Sequence, residues 1–336
     1  MNADVLVLGD LNIDLALDVP EFPLPGGEGV ASRQRIGFGG SAANTAVVLR
    51  QLGLSTALLA CLGEDEWGTL AVSGISAVGV DTSLLQRSDR DGTSLNIVAV
   101  TPDGERTMLA YRGASSLLDP ASVPGDLRGV RCLHLSGYAL LAEPQRSAAT
   151  TAATRARAVG VPVSLDVPVD LACSASPELL AFLPLVDILV IGADELHRLT
   201  GISDPEPSAR AVARYGPGTV AVKQGAGGVV LLTGDDVTQA PAPRVDVVDS
   251  TGAGDSFCAG LVFALLRGAA PADAARLANA CGAAAVATLG AGARLPGPVE
   301  VARVLGFFEP PARDRLLTLL SQQTLDTHPA SGETRG

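Results

Sequence analysis

Residues 248–257 combine two glycines and an acid at the start of an apolar, helix-forming run. Backbone N–H groups at a helix N-terminus are unpaired and carry partial positive charge, and Gly252 and Gly254 would let that backbone approach an anion closely. Asp255 lies in the same first turn, where a carboxylate can take a proton from an attacking hydroxyl beside a bound phosphate. The spacing predicts phosphoryl transfer with Asp255 as general base; a plain glycine loop with a capping aspartate is the alternative.

A second glycine turn begins at Gly39 and Gly40 and leads into a helical pattern that contains Asn44. Two glycines let a backbone approach a ligand, and the Asn44 amide can both donate and accept hydrogen bonds. The alternative is an ordinary turn whose helix is N-capped by Ser41. Residues 37–42 also match the G-x-G-x-x-A dinucleotide pattern, but no acid follows about twenty residues later, so an NAD-linked oxidoreductase is a weaker hypothesis.

Charge and composition exclude several classes of partner. The chain carries 36 acidic and 24 basic residues, a net charge of -12, so nucleic acid and anionic membranes are not expected to bind it. Five scattered cysteines form no C-x-x-C pair, which argues against a disulfide scaffold. With no leader pattern and no run of about 20 apolar residues, a cytoplasmic protein is expected. The Gly-Lys pair of Walker A and the H-R-D triplet of protein kinases are both missing from the sequence.

Apolar runs alternate with helical patterns along most of the chain, which predicts a parallel α/β sheet covered on both faces. Alternating residues 30–38 and a hairpin over 93–111, with its turn at residues 102–104, predict a separate small sheet. The predicted buried strands are 4–9, 56–63, 131–138, 161–167, 187–192 and 218–225. The predicted helices are 41–52, 145–158, 194–200, 206–215, 253–267 and 271–287, with a further hairpin in 227–247.

The two glycine motifs together resemble the two signatures of the PfkB (ribokinase-like) carbohydrate kinase family, and the resemblance extends from residue 4 to about 305. It implies an α/β fold, a ribokinase-like three-layer sandwich with a mostly parallel central sheet and a small β-sheet lid over a sugar site. The kinase domain is then expected over residues 1–305, with lid strands at roughly 12–38 and 93–113. A C-terminal helix and a disordered tail are expected over residues 306–336.

The resemblance also implies roles for individual residues. Asp255 matches the catalytic base, and Gly252, Ala253 and Gly254 match the anion hole. Residues expected at the sugar are Asp14, Gly39, Gly40 and Asn44, and Glu143 is a further candidate because it follows a predicted strand. Residues expected at ATP are Lys223, Gly225, Gly228, Thr251 and Asn279; Lys223 is the one lysine in the chain.

ATP, Mg²⁺ and a monovalent cation such as K⁺ are the implied cofactors. Glu195 matches the acid that serves Mg²⁺, but Gly192 replaces the asparagine that usually precedes it by three residues, which bears on metal affinity. Asp249 lies where some members hold the monovalent cation. A second departure is the segment 166–168, Asp-Val-Pro, where many members have Asp-x-Asn-x-Arg.

The leading hypothesis is an ATP-dependent kinase acting on a primary hydroxyl of a sugar. A nucleoside kinase on the same fold is the second reading; stacking of a base needs aromatic residues, and Phe38 is the candidate. A catalytically silent nucleotide-binding protein is a third. Exposed lid strands leave edges at which a second copy could pair, so a homodimer through the lid is a candidate assembly.

Overall fold

The computed structural model of the chain describes residues 3–102, 105–174, 176–288 and 290–321. Strands and helices alternate through most of this length, as the hydrophobic pattern predicts. The strands in chain order are β1 Val5–Leu8, β2 Asn12–Asp18, β3 Arg33–Gly39, β4 Thr56–Leu59, β5 Cys61–Gly63, β6 Gln86–Ser88, β7 Leu95–Val100, β8 Arg106–Tyr111, β9 Cys132–Ser136, β10 Val163–Val167, β11 Ile188–Gly192, β12 Thr219–Lys223, β13 Val229–Thr233 and β14 Asp236–Ala240.

The larger sheet has the strand order β14-β13-β12-β11-β10-β9-β1-β4. Its pairs are parallel from β12 to β4, while β13 and β14 add an antiparallel hairpin at one edge. Alternate residues of a strand point to opposite faces, so Val5 and Val7 join one apolar cluster while Leu6 and Leu8 join the other. Both faces of the sheet are therefore buried, which explains why its strands read as continuous apolar runs.

Helices cover both faces of this sheet and complete a three-layer fold. One face packs against α1, α8 and α9, and the other packs against α3 and α7. The helices are α1 Ser41–Gln51, α2 Glu66–Ala77, α3 Gln145–Ala158, α4 Val169–Ser174, α5 Ser176–Phe182, α6 Ala193–Thr200, α7 Pro205–Ala213, α8 Ala253–Leu266, α9 Pro271–Val286, α10 Pro298–Leu305 and α11 Pro310–Ser321. Among the described residues, no helix is long and apolar enough to cross a bilayer.

A second, four-stranded sheet stands apart from the first, with the order β3-β2-β7-β8. The β2–β3 and β7–β8 pairs are antiparallel, and β2 runs parallel to β7. We call this sheet the lid. Its strands fall within the two segments that the sequence predicted for a lid, and the fold class expected from the sequence is confirmed.

Three local expectations differ from the structure or lie beyond it. The apolar run 56–63 forms two strands, and the second of them, β5, pairs with β6 in a two-stranded sheet that the sequence did not predict. Helix α1 has Gly40 at its N-cap position, so the prediction that Ser41 caps it is wrong. The hairpin turn at residues 103–104 and the tail from residue 322 lie outside the described residues.

Candidate active site

A cavity of about 1180 Å³ lies at the carboxyl ends of the parallel strands, between the larger sheet and the lid. The ends of β10, β11 and β12 contribute Asp166, Gly192 and Lys223 to its wall. Open α/β sheets bind ligands at this edge because the loops there leave a crevice. Both glycine motifs also reach the cavity, through Gly40 and Asp255, so the topology brings together two segments more than 200 positions apart.

The glycine-rich loop before α8 presents unpaired amides to this cavity. The N–H groups of Gly252, Gly254 and Asp255 donate to no acceptor within the described part of the chain. Gly252 has a left-handed φ of 73°, and a Cβ there would lie 2.5 Å from the Leu295 side chain. Only glycine fits this position without strain. Free amides at a helix N-terminus form a binding site for an anion such as phosphate.

Asp255 lies in the first turn of α8 and lines the cavity. Its two carboxylate oxygens accept hydrogen bonds from the Ser41 hydroxyl and from the Asn44 side-chain amide, each at 2.8 Å. Burial raises the pKa of Asp255 to about 7, with repulsion from Asp166 adding to it and the two hydrogen bonds opposing it. A carboxylate with a pKa near neutrality is suited to exchange a proton with a bound alcohol at physiological pH.

Lys223 ends β12 beside the same loop. Its Nζ lies 2.7 Å from Asp166 Oδ1, and it would contact a Cβ built on Gly254 at 3.3 Å. Burial opposes the positive charge, but the Asp166 carboxylate outweighs burial, and the pKa of Lys223 is raised above its ordinary value. Lys223 is therefore a permanent point charge next to the amides of the loop, as a phosphate-binding lysine requires.

The opposite end of the cavity is built around Asp14 on β2. Asp14 Oδ1 accepts hydrogen bonds from the side-chain amides of Asn12, at 2.7 Å, and Asn96, at 3.0 Å. Burial raises the pKa of Asp14, and the two amides partly offset this effect. A Cβ at Gly39 would lie 2.1 Å from Asp14 Oδ2, so glycine is required there to leave room for the carboxylate. Clustered amide and carboxylate groups in a cleft suit a ligand with several hydroxyls.

The second glycine turn is held in place by an acid from another segment. Asp10 accepts hydrogen bonds from the N–H groups of Ser41, at 3.1 Å, and Ala42, at 3.2 Å, at the start of α1. Asp10 thus satisfies the helix end that Ser41 was predicted to cap, and the Ser41 hydroxyl is free to bond Asp255. Asn44 is held through both ends of its amide, since its Nδ2 donates to Asp255 and its Oδ1 accepts from Gly292 N at 3.1 Å.

Acidic side chains line the cavity at the start of α6. Asp194 and Glu195 both contribute to the wall, and a Cβ at Gly192 would lie 1.9 Å from Glu195 Oε2. The Glu195 carboxylate therefore occupies the space that an asparagine side chain would need at position 192. No cluster of three acidic, His or Cys residues that could cage a metal exists among the described residues. Two hard carboxylates nevertheless fit Mg²⁺, which is commonly held by one or two carboxylates plus substrate phosphates.

Arg106 crosses from the lid to the loop before α8. Its guanidinium donates to Asp249 Oδ1 at 2.8 Å and also hydrogen-bonds the side chains of Ser250 and Thr251. Asp249 and Thr251 are hydrogen-bonded to each other, since the Thr251 N–H and hydroxyl donate to Asp249 Oδ1 at 2.9 and 2.6 Å. Arg106 is therefore bound to the loop and is not a free, solvated side chain of the lid.

Several residues singled out in the sequence lie away from the cavity wall. Glu143 is exposed and accepts hydrogen bonds from Arg146 and Ser147, so it stabilises the start of α3. Asn279 is buried and donates to the carbonyls of Ala240 and Pro241.

Two further positions are explained by packing. A Cβ on Gly228 would meet the Ala240 carbonyl at 2.1 Å, so this glycine permits close packing of the hairpin. The Phe38 ring is buried against Gly74 and Gly292, which removes it as a stacking platform for a base. Gly225 and Thr251, by contrast, do line the cavity.

Sequence reasoning missed three polar residues that the fold brings to the cavity. Ser41 bonds the carboxylate of Asp255, Asn96 bonds Asp14, and Asp166 pairs with Lys223. Asn96 could have been found, because a polar residue within an otherwise apolar lid strand suggests an inward-facing ligand. Partners that are remote in sequence, such as Ser41 and Asp255, leave no local signal.

The chain is similar to several known proteins over most of its length. The model of the "pfkB family carbohydrate kinase" matches residues 2–297. The aminoimidazole riboside kinase of Salmonella typhimurium is 36% identical over 315 residues, which cover 88% of this chain and 93% of that protein. A fructokinase of Klebsiella pneumoniae is 32% identical over 319 residues, covering 91% of this chain and all of its own length, 100%.

A solved structure shows the same fold. The aminoimidazole riboside kinase from Salmonella enterica, in complex with aminoimidazole riboside and an ATP analog, superposes with a TM-score of 0.76 at 30% identity. The superposition covers 90% of this chain and 99% of that one. The likeness thus extends over most of the fold.

Proposed function

Because the chain belongs to the pfkB family of carbohydrate kinases, we propose that it transfers the γ-phosphoryl group of ATP to a primary hydroxyl of a sugar, with Asp255 as general base. One observation carries the assignment of the base. The Asp255 carboxylate, with a pKa raised to about 7, lines the cavity in the same helical turn as the unpaired amides. A proton acceptor and an anion site then lie side by side, as phosphoryl transfer to an alcohol requires.

The reaction assigns a task to each group. Asp255 takes the proton of the sugar hydroxyl while the hydroxyl oxygen forms a bond to the γ-phosphorus. The bond between the γ-phosphorus and the oxygen that bridges it to the β-phosphate breaks, and ADP is released. The amides of Gly252, Gly254 and Asp255, together with the Lys223 ammonium, stabilise the negative charge on the transferring group. Asp194 and Glu195 would hold Mg²⁺, which neutralises phosphate charge when bound.

The sugar is proposed to lie between Asp14 and Asp255. Asn12 and Asn96 hold the Asp14 carboxylate so that its Oδ2 remains open to a hydroxyl of the substrate. The lid strands β2, β7 and β8 contribute Asp14, Asn96 and Ala110 to the cavity wall, so lid closure would exclude water from the reacting phosphate.

A nucleoside is the second candidate substrate. Phe38 is buried and unavailable, but Tyr111 and Tyr138 line the cavity and offer aromatic surface for a base. One relative is an aminoimidazole riboside kinase, whose named substrate carries a base on ribose. We rank the free sugar first, since the groups that converge in the cavity are mainly carboxylates and amides.

The proposed function is tested by ADP release with MgATP over ribose, fructose, aminoimidazole riboside, adenosine and inosine. ADP release that depends on one of the free sugars supports the proposal. Release that depends only on the three ribosides would move the assignment to a nucleoside kinase. ATP binding without turnover on any of the five would favour a catalytically silent protein.

We further propose that two copies associate through the outer face of the lid. Leu15, Ile36, Ile97 and Leu109 form one cross-strand row over the four lid strands. They alternate with Asp14 and Asn96, so the row faces away from the cavity, and none of the four joins the two apolar cores. Exposed apolar rows with open strand edges are typical of protein–protein contacts.

A cytoplasmic location is proposed on chemical grounds. All five cysteines are free, and four of them are buried. Disulfides are rare in the reducing cytoplasm, where ATP is also available, and free thiols agree with that environment.

A further inference from the structure

Arg106 forms the one ion pair between the lid and the body among the described residues. It is the first residue of β8, and Asp249 lies 143 positions later, so the contact joins the lid to the loop before α8. The Asp249 side chain is 13% exposed and that of Arg106 is 30% exposed. An ion pair with this much burial is stronger than a pair in open solvent.

The Asp249 carboxylate is already fully engaged by donors. Its Oδ1 accepts from Arg106 and from the N–H and hydroxyl of Thr251, and its Oδ2 accepts from Gly290 N at 3.0 Å. Burial opposes the charge, but these donors hold the pKa of Asp249 below its ordinary value. The resemblance expects a monovalent cation at Asp249. A cation bound at Oδ1 would have to displace the guanidinium, so the surroundings of this oxygen do not fit an added ion.

We propose that the Arg106 guanidinium supplies, from the lid, the positive charge that relatives are expected to take from a monovalent cation at Asp249. Arg106 is then a positioning residue, since it acts through Asp249 on the loop that presents the phosphate-binding amides. The inference takes from the proposed function only that ATP binds at this loop, and it adds a reason why binding needs no K⁺ once the lid closes.

The lid strand connects this contact to the other end of the cavity. Arg106, Met108 and Ala110 alternate along β8 and all line the cavity, so they share one face of the strand. Residues 249–251 lead directly into Gly252, where the unpaired amides begin. One face of β8 thus contacts both the substrate space and the phosphate loop. A movement of this strand would therefore move the positive charge of Arg106 relative to Asp249.

The test compares wild type with Arg106→Gln and with Arg128→Gln. Arg128 is the control, because its exposed ion pair with Asp126 joins no part of the lid or of the loop before α8. The affinity for the non-hydrolysable analogue AMP-PNP with Mg²⁺ is measured by calorimetry in KCl and in tetramethylammonium chloride at equal ionic strength. Thermal unfolding of all three proteins checks that they are folded.

Wild type and Arg128→Gln are expected to bind the analogue equally well in both salts. Arg106→Gln should bind about tenfold more weakly in tetramethylammonium, as expected for loss of a charge-assisted hydrogen bond, and should recover in KCl. Adding Asp249→Asn to Arg106→Gln should abolish the recovery. If Arg106→Gln does not fold, the affinity for AMP-PNP is compared in the two salts for wild type and for Asp249→Asn. The proposal then requires that wild type binds the analogue without K⁺.

Two results would overturn this inference while leaving the kinase assignment intact. One is a loss of wild-type affinity in tetramethylammonium as large as that of Arg106→Gln, which would mean that a free cation is required. The other is equal, undiminished affinity of Arg106→Gln in both salts, which would mean that the loop needs no charge at Asp249. Failure of wild type to bind AMP-PNP in either salt would instead contradict the role of this loop in binding ATP, and the inference with it.

Discussion

Asp255 is bound by two neutral donors and forms no ion pair among the described residues. A cation in direct contact would hold the carboxylate ionised and weaken it as a base, whereas burial without any donor would keep it protonated. The Ser41 hydroxyl and the Asn44 amide place Asp255 between these limits, with a pKa near 7. The nearby Lys223 ammonium stays charged but is paired with Asp166 and not with Asp255, so it does not hold the base in its ionised form by direct contact.

Replacing the proposed base tests its role directly. Asp255→Asn keeps the size of the side chain but removes the proton acceptor, so turnover should fall by about 10²–10⁴-fold. The amides and Lys223 remain, so an ATP analogue should still bind. Coupled ADP release measures turnover, and the exposed Asp126→Asn serves as control. Near-normal turnover of Asp255→Asn would reject the assignment.

The hydrogen bond from Ser41 predicts a shift in the pH profile. Only the ionised form of Asp255 accepts a proton, so kcat/KM should rise with pH through about pH 7. The Ser41 hydroxyl lowers the pKa of Asp255, and Ser41→Ala should therefore raise it and move the rising limb to higher pH. The exposed Ser174→Ala should leave the profile in place. An unmoved or downward-shifted limb for Ser41→Ala would contradict this reading.

At the scale of elements, the start of α8 is held in place by glycine geometry. Gly252 takes a left-handed φ of 73°, and a Cβ there would meet Leu295 at 2.5 Å. Gly53 also has a positive φ, 96°, but nothing lies within 4 Å of its Cβ position. Alanine at Gly53 would therefore introduce backbone strain alone, whereas alanine at Gly252 would introduce the same strain together with a steric clash at the phosphate loop.

Alanine at either glycine should destabilise the fold by about 1–2 kcal/mol through backbone strain. Gly252→Ala must also displace either the buried Leu295 side chain or the loop that carries the amides, and we expect the loop to move, so this variant alone should reduce kcat strongly and weaken ATP analogue binding. Urea unfolding measures the first effect, and steady-state kinetics with calorimetry measure the second. A Gly252→Ala protein as active as Gly53→Ala would show that the loop tolerates the shift and that its amides are not closely matched to phosphate.

Elements with local signals were predicted well from the sequence. Helix α3 spans 145–158 as expected, and the first residue of α8 is the predicted Ala253, because apolar spacing and glycine breaks determine such boundaries. The N-cap of α1 was wrong since its capping acid, Asp10, comes from a loop 31 residues earlier. In the same way, the roles of Asn96 and Arg106 depend on how the lid folds over the body.

At the scale of the whole molecule, the two sheets perform separate tasks. The larger sheet is buried on both faces and fixes the carboxyl ends of its strands, which carry Asp166 and Lys223. The lid presents Asp14 and Asn96 toward the cavity and carries the apolar row of Leu15, Ile36, Ile97 and Leu109 on its other face. Its pattern of alternation predicted a separate sheet, but not which face would meet the cavity, because that depends on the register between β2 and β7.

The outer face of the lid makes the last prediction. Leu109 is 60% exposed on the edge strand β8, in the apolar row proposed to bind a second copy. Leu109→Glu would bury a charge in that contact, so the variant should run as a monomer where wild type is a dimer, as light scattering after gel filtration would show. Val299→Glu is the matched control, because Val299 is 65% exposed on α10, outside the lid.

Since each lid covers its own cavity, loss of the dimer should also loosen the lid and raise the KM for the sugar while ATP analogue affinity stays within about twofold. A monomeric wild type, or a Leu109→Glu protein that remains a dimer, would rule out this face as the interface.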